Sequence, residues 1–229
     1  MKKWLALAAT AVLGASLLIS GCGSSTNNAS SSGSKEVLKI AANPVPHAEI
    51  LEQVKPILAK EGVDLQIVEF TDYIQPNMAL SSHEVDANFF ANVPYQNNFN
   101  KDHGTNFVSF APVHIEPLAI YSQKIKDLKD LPNGAKVAIP SDPTNSARAL
   151  LLLQSAGLVT LKDPTGLTNT PFDVTSNPKN IQITELEAAQ IPRSIEDLDA
   201  AVINANYALP AGLNPTKDGL FVEDRKSVV

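Results

Sequence analysis

The chain has 229 residues, 18 of them basic and 24 acidic, for a formal net charge of −6 at neutral pH. That balance, with no basic tract, argues against a nucleic-acid partner, and a single cysteine excludes an intrachain disulfide. With 44% hydrophobic residues, the chain can bury the core of one large domain or of two small lobes.

The N-terminal stretch "MKKWLALAATAVLGASLLISGC" places Lys2 and Lys3 before an apolar run from Leu5 to Ile19, then Ser20, Gly21 and Cys22. This is a secretory signal pattern, too short and wrongly flanked for a stable membrane span. Its ending "ISGC" matches a bacterial lipobox, in which the cysteine thiol is acylated and becomes the mature N-terminus. Residues 1–21 are therefore expected to be a lipoprotein signal peptide, with Cys22 as the lipidation site. Each buried methylene of the acyl chains adds about 0.8 kcal/mol of membrane affinity. Residues 23–34, "GSSTNNASSSGS", carry no charge and no large apolar side chain, so residues 22–34 read as a lipidated cysteine and flexible linker. The expected location is the extracytoplasmic face of the cell membrane, held there by lipid.

From Lys35 onward, strands alternate with helices. "VLKIAA" reads as a strand, and apolar residues at helical spacing from His47 to Lys60 predict a helix with Pro56 kinking it. "VDLQIVEF" is a second strand, "DYIQPNMALSS" a helix and "VDANFF" a third strand. "PYQNNFNKDHG" is a helix opened by Pro94 and closed by Gly104. Residues 107–122 read as one long extended stretch broken by Pro112 and Pro117. "AKVAIP" is a strand, 144–156 a helix closed by Gly157, "IQITEL" a strand, "AAQIPRSIEDL" a helix and "AAVINANY" a strand. Such alternation predicts an α/β fold of parallel βαβ units in two lobes with a ligand cleft between them. The expected boundaries are 35–118 for lobe 1, 119–208 for lobe 2, and 209–229 for a segment returning to lobe 1. Ligands bind at the carboxyl ends of strands in open α/β sheets, so the loops at 43–47, 71–77, 88–95, 140–148 and 204–207 are the candidate lining.

Two groups of residues in those loops carry chemistry. In "IPSDPTNSARALLLLQ" a helix N-terminus offers free N–H groups and a partial positive charge. Arg148 adds a planar fork suited to a carboxylate, either a ligand's or that of an acidic side chain. Tyr73, Phe89, Phe90 and Tyr95 bring four aromatics into a short stretch of a chain that is 6% aromatic. They form either core or the wall of a cleft that suits an apolar or sulfur-bearing side chain. Alternation puts Phe89 and Phe90 on opposite faces of their strand. No P-loop or zinc-protease motif is present, and His47, His83, His103 and His114 lack paired metal-ligand spacing. They read as surface or structural histidines. Catalytic residues, a metal and a cofactor are therefore not expected.

"DYIQPNMAL", "DANFFANVPY", "VHIEPLAIYSQKIK", "VAIPSDPTNSARALLLLQ" and "ELEAAQIPRSIEDLDAAVINANYA", in this order, resemble the NlpA/methionine-binding lipoprotein family over residues 36–224. The resemblance implies a periplasmic-binding-protein type II-like fold, with two lobes closing over free L-methionine. It implies delivery of that ligand to an ABC importer, so the partners would be L-methionine, an ABC permease and its ATPase subunit. It also implies ligand-binding roles: Tyr73, Phe90 and Tyr95 walling the thioether, Arg148 on the α-carboxylate and Asn204 on the amino-acid backbone. Where the family often has "QH" after its paired aromatic, this chain has Ala91 and Asn92, so an amide at Asn92 is expected to replace a histidine contact. The family pattern continues past "FVED" with an aromatic, a second ligand-binding asparagine and further helix, whereas this sequence reads "RKSVV". Two alternatives stand beside the importer: the same fold holding a methionine derivative, short peptide or other amino acid, and a surface lipoprotein for adhesion or signalling.

Overall fold

A computed structural model describes residues 35–224. The signal-peptide and linker expectations, Cys22 among them, and the "RKSVV" ending lie outside the described residues. Among the described residues no helix is long and apolar enough to cross a membrane.

The first lobe contains β1 (Glu36–Ala42), an irregular turn at Pro44–Ala48, α1 (Glu49–Lys60), β2 (Val63–Glu69), α2 (Gln75–Ser81), β3 (Ala87–Phe89) and α3 (Val93–His103). Its three strands are parallel in the order β2-β1-β3. Two adjacent alanines explain why β1 sits in the middle. Side chains alternate along a strand, so Ala42 faces Ala48, Leu51 and Leu65 on one side while Ala41 faces Ala79 and Val85 on the other. Their small size lets a helix approach each face. Helix α1 runs on through Pro56 to Lys60, and α3 ends at Gly104, whose φ of 66° is the left-handed cap that glycine tolerates.

The second lobe contains β4 (Leu118–Tyr121), β5 (Lys136–Pro140), α4 (Pro143–Ser155), the short pair β6 (Thr160–Leu161) and β7 (Val174–Ser176), β8 (Gln182–Leu186), α5 (Ile191–Ser194), β9 (Ala200–Asn204), α6 (Ala205–Ala208), α7 (Pro215–Asp218) and β10 (Phe221–Val222). Its main sheet runs β10-β4-β9-β5-β8. Strands β4 and β9 are buried along their whole length and β5 along all but its first residue, as near-continuous apolar runs in a covered sheet must be. Alternation divides them between two cores. Leu118, Ile120, Val137, Ile139 and Val202 meet α4 on one face, and Ala119, Tyr121, Ala138, Ala201 and Ile203 meet Ile191 and Ile195 on the other.

Several expectations change. The sheet is mixed: β4 runs antiparallel to β9 and β10. The extended stretch 107–122 forms a ladder only at 118–121, because Pro112 and Pro117 have no N–H to give to one. The strand read as "AAVINANY" stops at Asn204, and Ala205–Ala208 turn into α6. The helix read at 188–198 is a succession of short helical turns around Pro192. Residues 209–224 do not return to the first lobe, since β10 pairs with β4 at the edge of the second sheet. A buried charge holds this edge: the Glu223 carboxylate accepts from Leu118 N at 2.9 Å.

Candidate functional site

The polar half of the site is assembled where β5 hands over to α4. Asp142 caps the helix, accepting from Asn145 N at 2.9 Å, and Pro143 fixes the first turn. The two Asp142 oxygens also accept from Asn145 Nδ2, at 3.1 and 2.9 Å. Those bonds orient the Asn145 amide, because the nitrogen must face the carboxylate. Its Oδ1 is thereby presented to Arg148 Nη1 at 2.9 Å and to Asn204 Nδ2 at 3.1 Å. Asn204 is in turn oriented, and its own Oδ1 is buried with no hydrogen-bond partner among the described residues. A buried acceptor left unpaired costs about 1–3 kcal/mol, so this atom marks a place where a donor belongs. Burial pushes the Asp142 carboxyl above the usual range, against the pull of the Asn145 bonds and the Arg148 charge.

Arg148 is 6% exposed, and an acidic side chain of the protein takes its fork. Nε donates to Glu223 Oε1 at 3.2 Å, and Nη2 donates to Glu223 Oε2 at 2.6 Å and to the Glu116 carbonyl at 3.3 Å. With Nη1 engaged once by Asn145, four of the five guanidinium N–H groups are accounted for. A two-pronged grip on a ligand carboxylate is therefore not what this geometry offers. One Nη1 hydrogen remains without a partner among the described residues, and Arg148 and Asn204 meet at the same Asn145 oxygen.

The aromatic half comes mainly from the first lobe. The Tyr73 ring lies 6.0 Å from Phe90, 5.8 Å from Tyr95 and 5.1 Å from Tyr207. Phe90 turns to this cluster, while Phe89 packs against the β1–α1 core and the edge of His47, the division that strand alternation implies. Two hydroxyls tie the lobes together, Tyr73 donating to Asn206 Oδ1 at 2.6 Å and Tyr207 to the Thr71 carbonyl at 3.1 Å, while Tyr95 donates within the first lobe to the Tyr73 carbonyl at 2.8 Å. Burial raises all three phenols above their ordinary value, helped at Tyr73 by Tyr207, Glu116 and Asp142. They remain neutral donors. Beside these rings lies a cavity of about 480 Å³, whose lining includes Asp72, Tyr73, Tyr95, Phe99, Asp142 and Glu187. Neither Arg148 nor Asn204 lines it, so it adjoins the polar group rather than containing it.

Of the residues expected at the ligand, Tyr73, Phe90 and Tyr95 share one cluster, and Arg148 and Asn204 share Asn145. Asn92 stands apart, because its Oδ1 caps α3 through Tyr95 N at 2.9 Å. Its amide oxygen is committed to the helix and, through it, to the placing of Tyr95. The sequence reading placed Asn145, which aims the arginine, and Tyr207, which supplies the second lobe's ring, in candidate loops without singling them out, and it missed Glu223 altogether. The D-P-T-N run does signal Asn145 as a capping-turn residue. Nothing local signals Glu223, which lies 75 positions from its partner. Also unforeseen is the meeting of His47 and His114 with Glu116.

Residues 38–229 match the profile of a family described as NlpA lipoprotein. A protein of Salmonella typhimurium named D-methionine-binding lipoprotein MetQ is 44% identical over 229 residues, covering 98% of this chain and 82% of the relative. Among solved structures, a nutrient-binding protein from Burkholderia cenocepacia bound to methionine superposes with a TM-score of 0.80 at 47% identity, over 83% of this chain and 81% of that one. An ABC-transporter periplasmic substrate-binding protein from Coxiella burnetii gives 0.78 at 44% identity, over 82% and 79%.

Proposed function

The chain belongs to the NlpA lipoprotein family, and from that premise we propose that it is a methionine-binding lipoprotein that delivers its ligand to an ABC importer. The orphaned Asn204 Oδ1, 93% enclosed as a residue and aimed by Asn145, is the observation that carries this reading. It accepts from the ligand's α-ammonium group. The remaining Arg148 Nη1 hydrogen and the charge behind it hold the α-carboxylate, while Tyr73, Phe90 and Tyr95 take the thioether, whose sulfur packs well at ring edges. Asn92 acts by capping the helix that carries Tyr95. The work is selective binding, with no bond made or broken. A ligand that touches both lobes binds the closed form better and shifts that population, which a permease and its ATPase can then read. Cys22 is the proposed lipid attachment that keeps the protein at the extracytoplasmic face.

Thermal unfolding of the purified chain against L-methionine, D-methionine, methionine sulfoxide, methionyl dipeptides and other amino acids tests the reading. Ligand at 100 times its dissociation constant adds about 2.7 kcal/mol, a shift of roughly 5–10 °C for a chain of this size. Asn204→Ala should weaken binding by about 10- to 100-fold, the worth of one hydrogen bond to a charged group. A transition that no methionine compound moves would end the proposal. A stronger response to a dipeptide or a different amino acid would replace the ligand while keeping the receptor.

A further inference from the structure

We propose that His47, His114 and Glu116 form a binding site for a divalent first-row transition ion, zinc by preference. His47 lies in the irregular turn between β1 and α1, and His114 and Glu116 lie two residues apart on the extended segment entering β4. Residues two apart on extended chain project to the same side, so the segment delivers an imidazole and a carboxylate together. His47 Nε2 stands 2.9 Å from Glu116 Oε1, and His114 Nε2 stands 2.5 Å from that same oxygen. One ligand atom from each of the three residues falls within 4.8 Å of the others. The same nitrogen of two histidines thus converges on one carboxylate oxygen.

The surroundings suit an ion. His47 is buried and held edge-on by Phe89, with ring centres 4.9 Å apart, and it meets the His114 ring at 5.1 Å. Its Nδ1 is buried without a partner among the described residues. The ring is therefore positioned by packing and by what its Nε2 meets, the Glu116 oxygen or an ion bound there. The side chains of His114 and Glu116 are 24% and 21% exposed, which leaves an entry path. Two imidazoles and a carboxylate with one position left to water form a donor set that zinc favours and that magnesium and calcium do not. Ligands at ~2.0–2.1 Å from a tetrahedral centre lie roughly 3.3 Å apart, so each imidazole nitrogen, at 2.9 and 2.5 Å from the Glu116 oxygen, would draw back from it by less than an ångström to admit the ion. Bound there, the ion would clasp the first-lobe turn to the segment leading into the second lobe. It would sit next to the Glu116 carbonyl that receives Arg148. This inference does not depend on the identity of the cleft's ligand.

The test is calorimetric titration of tag-free, chelator-treated full chain with zinc, and with magnesium as control, followed by the visible absorption of the cobalt form. The expected result is a single zinc site in the micromolar range or tighter, no magnesium binding, and a cobalt spectrum of low coordination number. His47→Ala and His114→Gln should each weaken zinc by roughly tenfold to a hundredfold or more, while His83→Ala leaves it unchanged. His114 is partly exposed, so its variant keeps the test valid if His47→Ala fails to fold. Zinc binding that His114→Gln does not alter, or no heat beyond the magnesium control, would overturn the proposal.

Discussion

The two lobes are built to different standards. The second has a five-stranded sheet whose three central strands are buried almost end to end, between two cores. The first has three strands, one of them of three residues, and two small clusters of buried side chains. The division of labour follows. Hydrogen bonds to a charged ligand weaken steeply with angle and distance, and the Asp142–Asn145–Arg148–Asn204 chain that would make them is rooted in the stiffer lobe. Aromatic contact is broad and tolerant, and Tyr73, Phe90 and Tyr95 come from the lighter one. A receptor that closes needs one half that holds its shape and another that can be moved onto it.

The comparison breaks first at the buried ion pair. Glu223→Ala leaves Arg148 charged, enclosed and without its bidentate partner, and should cost about 3–5 kcal/mol in urea unfolding. The double variant Arg148→Met/Glu223→Leu should recover most of that loss, whereas a double variant as unstable as the single would show that the edge strand β10 depends on the pair. Next comes the difference between the cores. Leu150→Ala in α4 should cost about 3–5 kcal/mol, at the upper part of the range for a buried leucine, while Leu51→Ala in α1, 8% exposed, should stay nearer 2. Equal losses would remove the contrast. Smaller still is Tyr73→Phe, which deletes the 2.6 Å bond to Asn206 across the lobes and should cost about 0.5–1.5 kcal/mol. If closure uses that bond, the variant weakens ligand binding more than it lowers stability, as parallel titration and denaturation would reveal.

The same contrast governs how much was readable in advance. The strand–helix alternation, the paired lobes and the opposite facing of Phe89 and Phe90 follow from periodicity, which is local. Gly157 was legible as the stop of α4 because capping is also local. The antiparallel β4, the short β10 and the seizure of Arg148 by Glu223 were not, since each depends on a partner far along the chain. The arginine shows the limit well. Its fork invited a carboxylate, but sequence alone left open whose. The methionine reading came from ordered motifs shared with a family rather than from any residue's physics. The capping role of Asn92 was hidden for a related reason: the substitution stood out as a change of ligand chemistry, while its capping geometry depends on where α3 begins.

The smallest effect concerns pH at the foot of the second sheet. Asp199 accepts from Lys136 N at 2.8 Å and from Lys124 Nζ at 3.1 Å. The backbone bond from Lys136 does most to hold its carboxyl below the usual aspartate range; partial burial opposes it, and Lys124 adds to it. The folded chain therefore binds this proton less readily than the unfolded chain does. Its stabilising contribution is complete above the ordinary value of 3.8 and is lost as pH falls through the lower native value. Because the lysine contact is open to solvent, the contribution should not exceed about 1 kcal/mol and should shrink in high salt. Asp199→Asn should lower stability slightly at pH 7 and flatten the decline between pH 4 and pH 3, as denaturation midpoints across that window would record. An unchanged slope would mean that other carboxylates set the acid limit, and that the base of β9 is held by its neighbours' packing rather than by this charge.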